Sequence, residues 1–412
     1  MKAAKYLALV VISFVFIGCD SVNDEAVGPR LDSNPVGYYS FREGSTQFRL
    51  KYNGWTVDSS WHGEGGAHWN GFQGTVGGLW FADLVDVHRA SASGAGLNVN
   101  SLVPIPALDR FRPFWVLSAD MSQSEVGDWP SDLGAPTNSD GSPKMFGDRM
   151  VWTSRTSTIA NYTDKLPVPG FRVGITNFLF ESGPLKDVYF VRYDVQNETT
   201  STISDVYMGV HGHTGINANY DDRSCREVSG DRNRAGYLME QRISYTYAHP
   251  ESVQDTNYPE HCFGFVAGMV VLPLTESAPL SAPMISNRIL GWYYNTPYAS
   301  FAISELWGQN WNVFKALLGR SPDGKRMIDP VRDIETDFAF PGDPIQRTGW
   351  FSEYDTQVHS LQTFGPLLLE PSETQSFVVA YLNAQGEDLP NALDRLPKLY
   401  ESLLANRSAW DK

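Results

Sequence analysis

Basic residues, cysteines and long apolar runs are scarce in this sequence. Its 412 residues include 32 Lys and Arg against 47 Asp and Glu, which gives a net charge of −15 at pH 7. A chain this acidic repels phosphate backbones, so we expect no nucleic-acid partner. Only three cysteines are present, which excludes a small scaffold held together by many disulfides. After residue 18 no apolar run reaches the roughly 18 residues that a membrane-spanning helix needs.

Signatures of common catalytic machinery are absent as well. The sequence contains neither the Gly-x-Ser-x-Gly elbow of many serine hydrolases nor the His-Glu-x-x-His pattern of zinc proteases. Its many carboxylates always offer pairs for glycoside hydrolysis, but no sequence feature singles out two of them. Enzymatic activity is therefore an open question, and the sequence favours a non-enzymatic role.

The N-terminus has the pattern of an export signal. Lys2 and Lys5 precede an apolar run over residues 6–17 that is too short to span a bilayer as a helix. The run ends in Phe16-Ile-Gly-Cys19, which resembles the lipobox of bacterial lipoproteins. The resemblance implies a signal peptide, residues 1–18, that is cleaved off, and a lipid on Cys19 that anchors the protein in a membrane. An ordinary signal peptide followed by a chance cysteine is the alternative.

The segment after the predicted cleavage point is polar and acidic, and we expect residues 19–38 to form a flexible tether. Removal of the two signal lysines from the net charge of −15 leaves −17. The expected location is the outer membrane or cell surface, with the periplasmic face of a membrane as the alternative. In an exported chain the two remaining cysteines, Cys225 and Cys262, predict one disulfide. Two free buried thiols are the other interpretation.

Composition and patterning predict a mainly β protein. Aromatic residues make up 13% of the chain, with 36 Gly and 25 Pro, which is typical of a turn-rich antiparallel β-sandwich. We expect one large or two packed sandwich domains, with a few short helices and a C-terminal helix. The predicted regions are an N-terminal β-rich region (39–140), a central β-sandwich domain (141–386) and a C-terminal helical segment (387–412).

Two strand–turn–strand patterns stand out within the central region. Residues 187–197 and 203–213 are rich in β-branched and aromatic side chains and flank a polar turn, so they predict a hairpin. Residues 361–369 and 375–382 form a second such pair. The C-terminal helix should begin near Asp388, with Pro390 in its first turn. Pro397 interrupts the helical pattern and predicts a kink or a break.

Several short blocks resemble a family of large, uncharacterised secreted and surface proteins of Bacteroidota-like bacteria. The blocks follow the family's order: Gly77-Gly-Leu-Trp, Trp129-Pro with Gly134-Ala-Pro, Gly147-Asp-Arg-Met-Val-Trp, the strands 188–197 and 205–210, Gly342-Asp-Pro with Thr348-Gly-Trp, and 365–379. The resemblance implies a surface location and a β architecture but no chemistry. Larger relatives often continue into fibronectin-like repeats and a sorting tail, and a lipid would replace that tail as the anchor.

The pair His211-Gly-His213 is the main candidate for metal binding. Alternation along a strand puts both histidines on one face, and Asp221 and Asp222 follow in the next loop. Imidazole nitrogens with a carboxylate suit zinc. The resembling proteins have Asp-rich sequence at this point, which implies calcium instead. Two hydrogen-bonded histidines at a strand end are the plain structural alternative.

Aromatic and acidic residues in two loops are candidates for ligand binding. Trp61 and Trp69 could stack on a sugar ring, and His62, Glu64 and His68 between them could ligate a metal. In the long loop around residue 130, Asp128 and Trp129 are candidates for ligand contact. Further acids there could bind calcium, or could cap turns instead: Asp132, Asp140 and Asp148.

Three hypotheses about function follow. The first is an exposed envelope lipoprotein that binds a protein or glycan partner without catalysis. The second is a glycan-active hydrolase, or an accessory glycan-binding subunit, with a carboxylate pair in a groove of the sandwich. The third is metal binding through His211 and His213.

Overall fold

The computed structural model describes residues 129–156, 170–214, 233–252, 263–274, 284–290, 315–321, 323–353 and 358–411, together with the backbone of short strands between residues 38 and 118. The side chains of a few strand residues, among them 211 and 213, lie outside this description. All described elements belong to one compact unit, Leu31–Lys412. Within these ranges no helix combines the length and the hydropathy needed to cross a bilayer.

The described elements are mostly strands. In the first half of the chain they are β1 (Tyr38–Glu43), β2 (Thr46–Lys51), β3 (His68–Trp69), β4 (Phe72–Gln73), β5 (Thr75–Asp83), β6 (Leu97–Asn98), β7 (Val103–Pro104), β8 (Trp115–Ser118), β9 (Arg149–Thr156), β10 (Phe171–Leu179) and β11 (Val188–Asn197). In the second half they are β12 (Ile203–Thr214), β13 (Asn233–Leu238), β14 (Ile243–Ala248), β15 (Phe265–Pro273), β16 (Met284–Leu290), β17 (Met327–Asp329), β18 (Ile334–Thr336), β19 (His359–Leu369), β20 (Thr374–Gln385), and the helices α1 (Leu389–Ala405) and α2 (Arg407–Trp410).

The strands form two main antiparallel sheets. The large sheet has nine strands in the order β13-β14-β15-β20-β11-β10-β9-β7, with β8 also paired to β9. The small sheet has five strands in the order β16-β19-β12-β5-β6. A meander of β1 to β4 and the hairpin β17–β18 are separate. The prediction of a mainly β, antiparallel sandwich with few helices and a C-terminal helix is confirmed.

The two sheets pack face to face over an apolar core. Alternate residues of β10 and β11, such as Ile175 and Val191, belong to the same buried cluster as Met208 and Val210 of β12 and Phe364 of β19. The period of two in these strands puts one set of side chains into this layer. Strand β5, from the predicted N-terminal region, pairs with β12 in the small sheet. The division of the chain at residue 140 stays a prediction.

The other face of the large sheet carries a second apolar layer under the C-terminal helices. Phe178 and Phe190 stack there with ring centroids 4.8 Å apart, and Trp410 lies 6.2 Å from Phe190. Leu396 and Leu403 of α1 belong to the same fully buried cluster. The large sheet is therefore covered on both sides, which explains why its central strands consist almost entirely of buried residues.

The predicted hairpin of β11 and β12 is wrong. β11 pairs with β10 and β20 in the large sheet, whereas β12 pairs with β19 and β5 in the small sheet. The connecting residues 198–202 therefore form an arch from one sheet to the other. The second predicted strand pair behaves in the same way, because β19 lies in the small sheet and β20 in the large one. Each of these four strands has a neighbour on both edges within its own sheet, so its partners come from distant parts of the chain.

The two arches lie side by side and are joined by hydrogen bonds. The backbone N–H of Asn197 donates to the carbonyl of Glu373 at 3.0 Å, and that of Ser372 donates to the carbonyl of Asn197 at 2.8 Å. Thr202 Oγ1 donates to Glu370 Oε2 at 2.5 Å. Asn197 is fully buried, so the polar groups of both arches are satisfied around this one residue.

The C-terminal helix begins where the sequence predicts, but Pro397 does not end it. The side chain of Asp388 accepts the N–H of Asn391 at 2.8 Å and caps α1, which continues to Ala405. An interior proline costs a helix about 3 kcal/mol. The buried face of α1 offsets that cost, since Leu396 packs closely over Gly268 of β15 and leaves no room there for a Cβ. The predicted break is therefore wrong, while a kink at Pro397 stays a prediction.

Candidate functional site

Most of the residues proposed from sequence lie outside the described part of the structure. These are Cys19, Trp61, Asp128, Asp221, Asp222, Cys225 and Cys262. The lipid anchor, the disulfide and the acidic half of the metal hypothesis therefore stay predictions. Trp69 is described only as a backbone position in β3, where it pairs with Phe72.

His211 and His213 lie in β12, a central strand of the small sheet. The register places His213 opposite His359 of β19, and His211 opposite Leu361. On the other edge of β12, His211 lies opposite Gly78 of β5. A third histidine therefore occupies the position next to the predicted pair, although it is 146 residues away in the sequence.

Gly209 of β12 and His359 of β19 belong to the outer face of the small sheet, away from the other sheet. The alternate residue Gly212 belongs to the inner face, where a Cβ would meet Met269 and Tyr381 of the large sheet. On the outer face a Cβ at Gly209 would meet Leu317, so the segment around residues 315–319 covers this part of the sheet. His359 is 5% exposed.

A buried arginine lies on the same outer face. Arg288 of β16 is opposite Leu361, two residues from His359, and is fully buried. It donates from Nη2 to the carbonyl of Gly319. Burial lowers the pKa of Arg288 to about 10, while the carboxylate of Asp337 opposes that shift. The guanidinium therefore stays charged at neutral pH and gives this face a fixed positive charge.

A neutral polar network lies on the inner face of the small sheet. Gln362 Nε2 donates to Ser244 Oγ at 2.8 Å and to the carbonyl of Met269 at 3.0 Å. Ser244 Oγ donates in turn to Asn287 Oδ1 at 2.5 Å. These amides and hydroxyls join strands of both sheets. Their partners are neutral, so the network serves to hold the sheets together rather than to activate a nucleophile.

The loop over residues 129–148 uses its polar groups for its own fold. Trp129 donates from Nε1 to the carbonyl of Pro136 at 2.9 Å and packs against Trp152, with centroids 6.2 Å apart. Asp140 accepts the N–H of Ser142 at 2.9 Å, and bonds from Ser142 hold the pKa of Asp140 below its usual value. The contacts of Asp140 match the turn-capping alternative, while a ligand role for Trp129 stays a prediction.

A glycine closes the end of this loop. Gly147 has a φ of +65°, a conformation that L-residues rarely adopt. A Cβ at this position would overlap the backbone carbonyl of Leu179. The neighbouring Asp148 accepts the N–H of Glu181 at 2.9 Å. The loop is therefore fixed to the end of β10 by a backbone approach that only glycine permits.

Metal ligands are not grouped among the described side chains. No set of three or more His, Cys, Asp or Glu residues that could hold a metal occurs there. The imidazoles of His211 and His213 lie outside that set of side chains. His359 is the residue that sequence reasoning missed. It could be linked to the pair only through the pairing of β12 with β19, which no sequence pattern announces.

Comparison with known proteins gives only distant likenesses. No protein-family model matches the chain, and no curated protein is similar to it in sequence. Among solved structures, the chain is similar to a putative aldose 1-epimerase from Escherichia coli K12, with 11% identity and a TM-score of 0.29 over 85% of this chain and 99% of that chain. It is similar to a polysaccharide lyase at 11% identity and a TM-score of 0.29, over 92% of this chain and 35% of the lyase chain. At this level neither likeness bears on activity.

Proposed function

We propose that this chain is a lipid-anchored protein of the bacterial envelope whose β-sandwich binds a protein or glycan partner without catalysing a reaction. The anchor is supported by the basic and apolar N-terminus that ends at Cys19, and by the polar tether that follows. The binding role is supported by the contacts of the described carboxylates, several of which stabilise the fold.

Several described carboxylates serve the fold. Asp194 accepts Arg192 Nε at 2.9 Å and Ser376 Oγ at 2.5 Å. Glu198 is paired with Arg172 at 2.5 Å. A glycosidase instead needs two carboxyl groups about 5–10 Å apart that are free to face a substrate. Acids already held by cations and hydroxyls cannot supply that pair without loss of the contacts that hold the sandwich.

The pKa shifts of the described carboxyl groups point the same way. Partial burial raises the pKa of Glu251, but His249, Arg347 and Arg234 together bring it below its usual value. Every other described carboxyl with a clear shift also has a lowered pKa, namely Asp140, Asp323 and Asp388. A general acid needs a raised pKa to stay protonated at neutral pH. None of these four groups therefore has the raised pKa of a general acid, in agreement with the contacts that hold Asp194 and Glu198.

A paired binding and hydrolysis assay tests the proposal. The full chain, solubilised in detergent, would be incubated with purified cell-wall glycan, with surface polysaccharide and with envelope protein from the producing cells. We expect retention on one of these materials with no release of reducing sugar. Release of reducing sugar above that of a heat-inactivated control would show a hydrolase, and absence of retention on all three would refute the binding role.

The anchor has its own test. Cys19→Ser removes the thioether that carries the lipid, so the variant should move from the membrane fraction to the soluble fraction after cell disruption. Cys225→Ser is the matched control, because it removes a different cysteine and should leave the protein in the membrane fraction. Retention of the Cys19→Ser protein in the membrane would refute the lipid anchor.

A further inference from the structure

We propose that residues 337–350 form a strap that joins the terminal strands of the two sheets and opens as a unit while the sandwich stays folded. β13 is a terminal strand of the large sheet, and β16 is a terminal strand of the small sheet. Opening frees the edges of both strands, and such edges are positions where an extended segment of another chain can add a strand. This device is separate from the lipid anchor and the binding role proposed above.

The strap is hydrogen-bonded to both terminal strands. The N–H of Asn287 in β16 donates to the carbonyl of Asp337 at 2.9 Å, and the N–H of Ala339 donates to the carbonyl of Asn287 at 3.1 Å. The N–H of Tyr237 in β13 donates to the carbonyl of Phe340 at 3.0 Å. The strap forms a parallel bridge with β16, whereas β16 and β19 are antiparallel. It therefore covers the edge of β16 in the position of an added strand.

The side chains that fasten the strap form a small apolar cluster. Phe340 and Trp350 lie with ring centroids 5.1 Å apart at its centre. This cluster is distinct from the two large clusters of the sandwich. Its buried members are Ala235, Met327, Ala339, Phe340, Trp350 and Val358. A segment held by a small cluster belongs to the less stable part of a protein, which can open without the rest.

The backbone of the strap holds two residues in an unfavourable conformation. Phe340 and Arg347 both have a φ of +54°. This region suits glycine, and a bulky L-residue adopts it only when its surroundings enforce it. The enforcing contacts are the ring of Trp350 beside Phe340 and the bond from Arg347 Nη1 to Glu251 Oε1 at 2.8 Å. Opening releases this strain, so the strain favours the open strap relative to the closed one.

The two ends of the strap explain why it moves as a unit. Its start is anchored by Arg326, whose Nε donates to Asp337 Oδ1 at 2.9 Å. Its later part is closed on itself, because the N–H of Gly342 donates to the carbonyl of Trp350 at 2.8 Å. The turn between these two residues can therefore leave the sandwich without losing its own hydrogen bonds.

Hydrogen–deuterium exchange of the full, detergent-solubilised chain at single-residue resolution tests the proposal. The N–H groups of Tyr237, Asn287 and Ala339 report on the strap, because each makes one of the bonds described above. After correction for intrinsic rates, we expect all three to exchange at a common rate. That rate should be at least about 100-fold faster than the rate of the N–H groups of β11 and β20, which open only with the whole sandwich. Three unrelated rates, or rates as slow as those of β11 and β20, would overturn the proposal.

Substitution of Trp350 identifies the cluster that closes the strap. Trp350→Ala removes the centre of the cluster and should speed exchange of the three strap amides by at least about 100-fold, with the amides of β11 and β20 changed by less than about twofold. Trp350→Phe keeps an aromatic ring and should give the same pattern with a smaller factor, which guards against loss of folding in the alanine variant. Equal acceleration of the strap and of β11 and β20 would show that they open together, and would refute an independent strap.

Trp129→Ala is the matched control. This tryptophan is also partly covered by another aromatic side chain, since its ring centroid lies 6.2 Å from that of Trp152, but it belongs to the loop on the other face of the large sheet. Its removal should leave the exchange of Tyr237, Asn287 and Ala339 unchanged within about twofold. A change as large as that produced by Trp350→Ala would contradict the assignment of the closing contacts to the strap cluster.

Discussion

Asn197 is the residue on which the junction of the two arches depends, and Asn197→Ala is the sharpest test of the fold. Its Nδ2 donates to the carbonyls of Ser201 and Leu369 at 2.8 and 2.9 Å. Its Oδ1 accepts the N–H and Oγ1 of Thr199 at 2.9 and 2.7 Å. Each of these hydrogen bonds contributes about 1 kcal/mol net, and the buried carbonyl of Leu369 would lose this partner. We therefore expect the free energy of unfolding to fall by about 3–5 kcal/mol.

Urea unfolding followed by circular dichroism and tryptophan fluorescence would measure the effect. Asn138→Ala is the matched control, because that asparagine also makes two side-chain bonds, to Ser142 Oγ and the carbonyl of Pro143, but is exposed. We expect the control to lose less than about 1 kcal/mol. A loss for Asn197→Ala as small as that of the control would refute the view that this residue joins the arches.

Three further predictions concern single positions. Gly147→Ala combines an unfavourable φ with a clash against backbone, so it should lower the free energy of unfolding by about 2–4 kcal/mol in the same assay, and an unchanged midpoint would contradict the loop geometry. Bonds from Asn391 lower the pKa of Asp388, so the stabilisation by this cap is present above the pKa of the unfolded chain and is lost as pH falls through the lower folded pKa. Asp388→Asn should therefore remove part of the acid-induced loss of helix signal, and an identical acid transition would contradict that. Mass spectrometry without reductant should find Cys225 joined to Cys262, whereas two free thiols would refute the disulfide.

The sequence predicts strands well but not their partners. Residues 188–197 and 203–214 are strands because β-branched and aromatic side chains fill them, and the structure confirms both. Local reasoning joined them as a hairpin, since a short polar turn between two strands most often produces one. The polar residues of this turn do not distinguish a hairpin from an arch, because the same residue types can connect two strands of one sheet or two strands of different sheets. Only the burial of both faces, visible in the run of apolar residues, hints that β11 is a central strand with distant partners.

The helix and the candidate site also show that local sequence patterns do not predict tertiary contacts. Asp388 and Pro390 mark the start of α1 through local chemistry, which sequence reasoning captures. The passage of α1 through Pro397 depends on tertiary packing against β15, which local reasoning cannot weigh. His359 pairs with His213 in the strand register only because β12 and β19 are neighbours. Pairings between residues far apart in sequence are set by the topology of the whole sandwich, so a motif search does not find them.

The position of β20 in the large sheet has a consequence for the order of folding. This strand lies between β15 and β11, yet it follows every other strand of the sheet along the chain. The pairing of Val188 with Leu382 closes a loop of almost two hundred residues, and closure of loops this long slows the search for the native state. Until residues 374–385 are in place, β15 and β11 each expose an unpaired edge. A chain that emerges from a ribosome or a translocation channel N-terminus first would therefore stay open until almost all of it has passed.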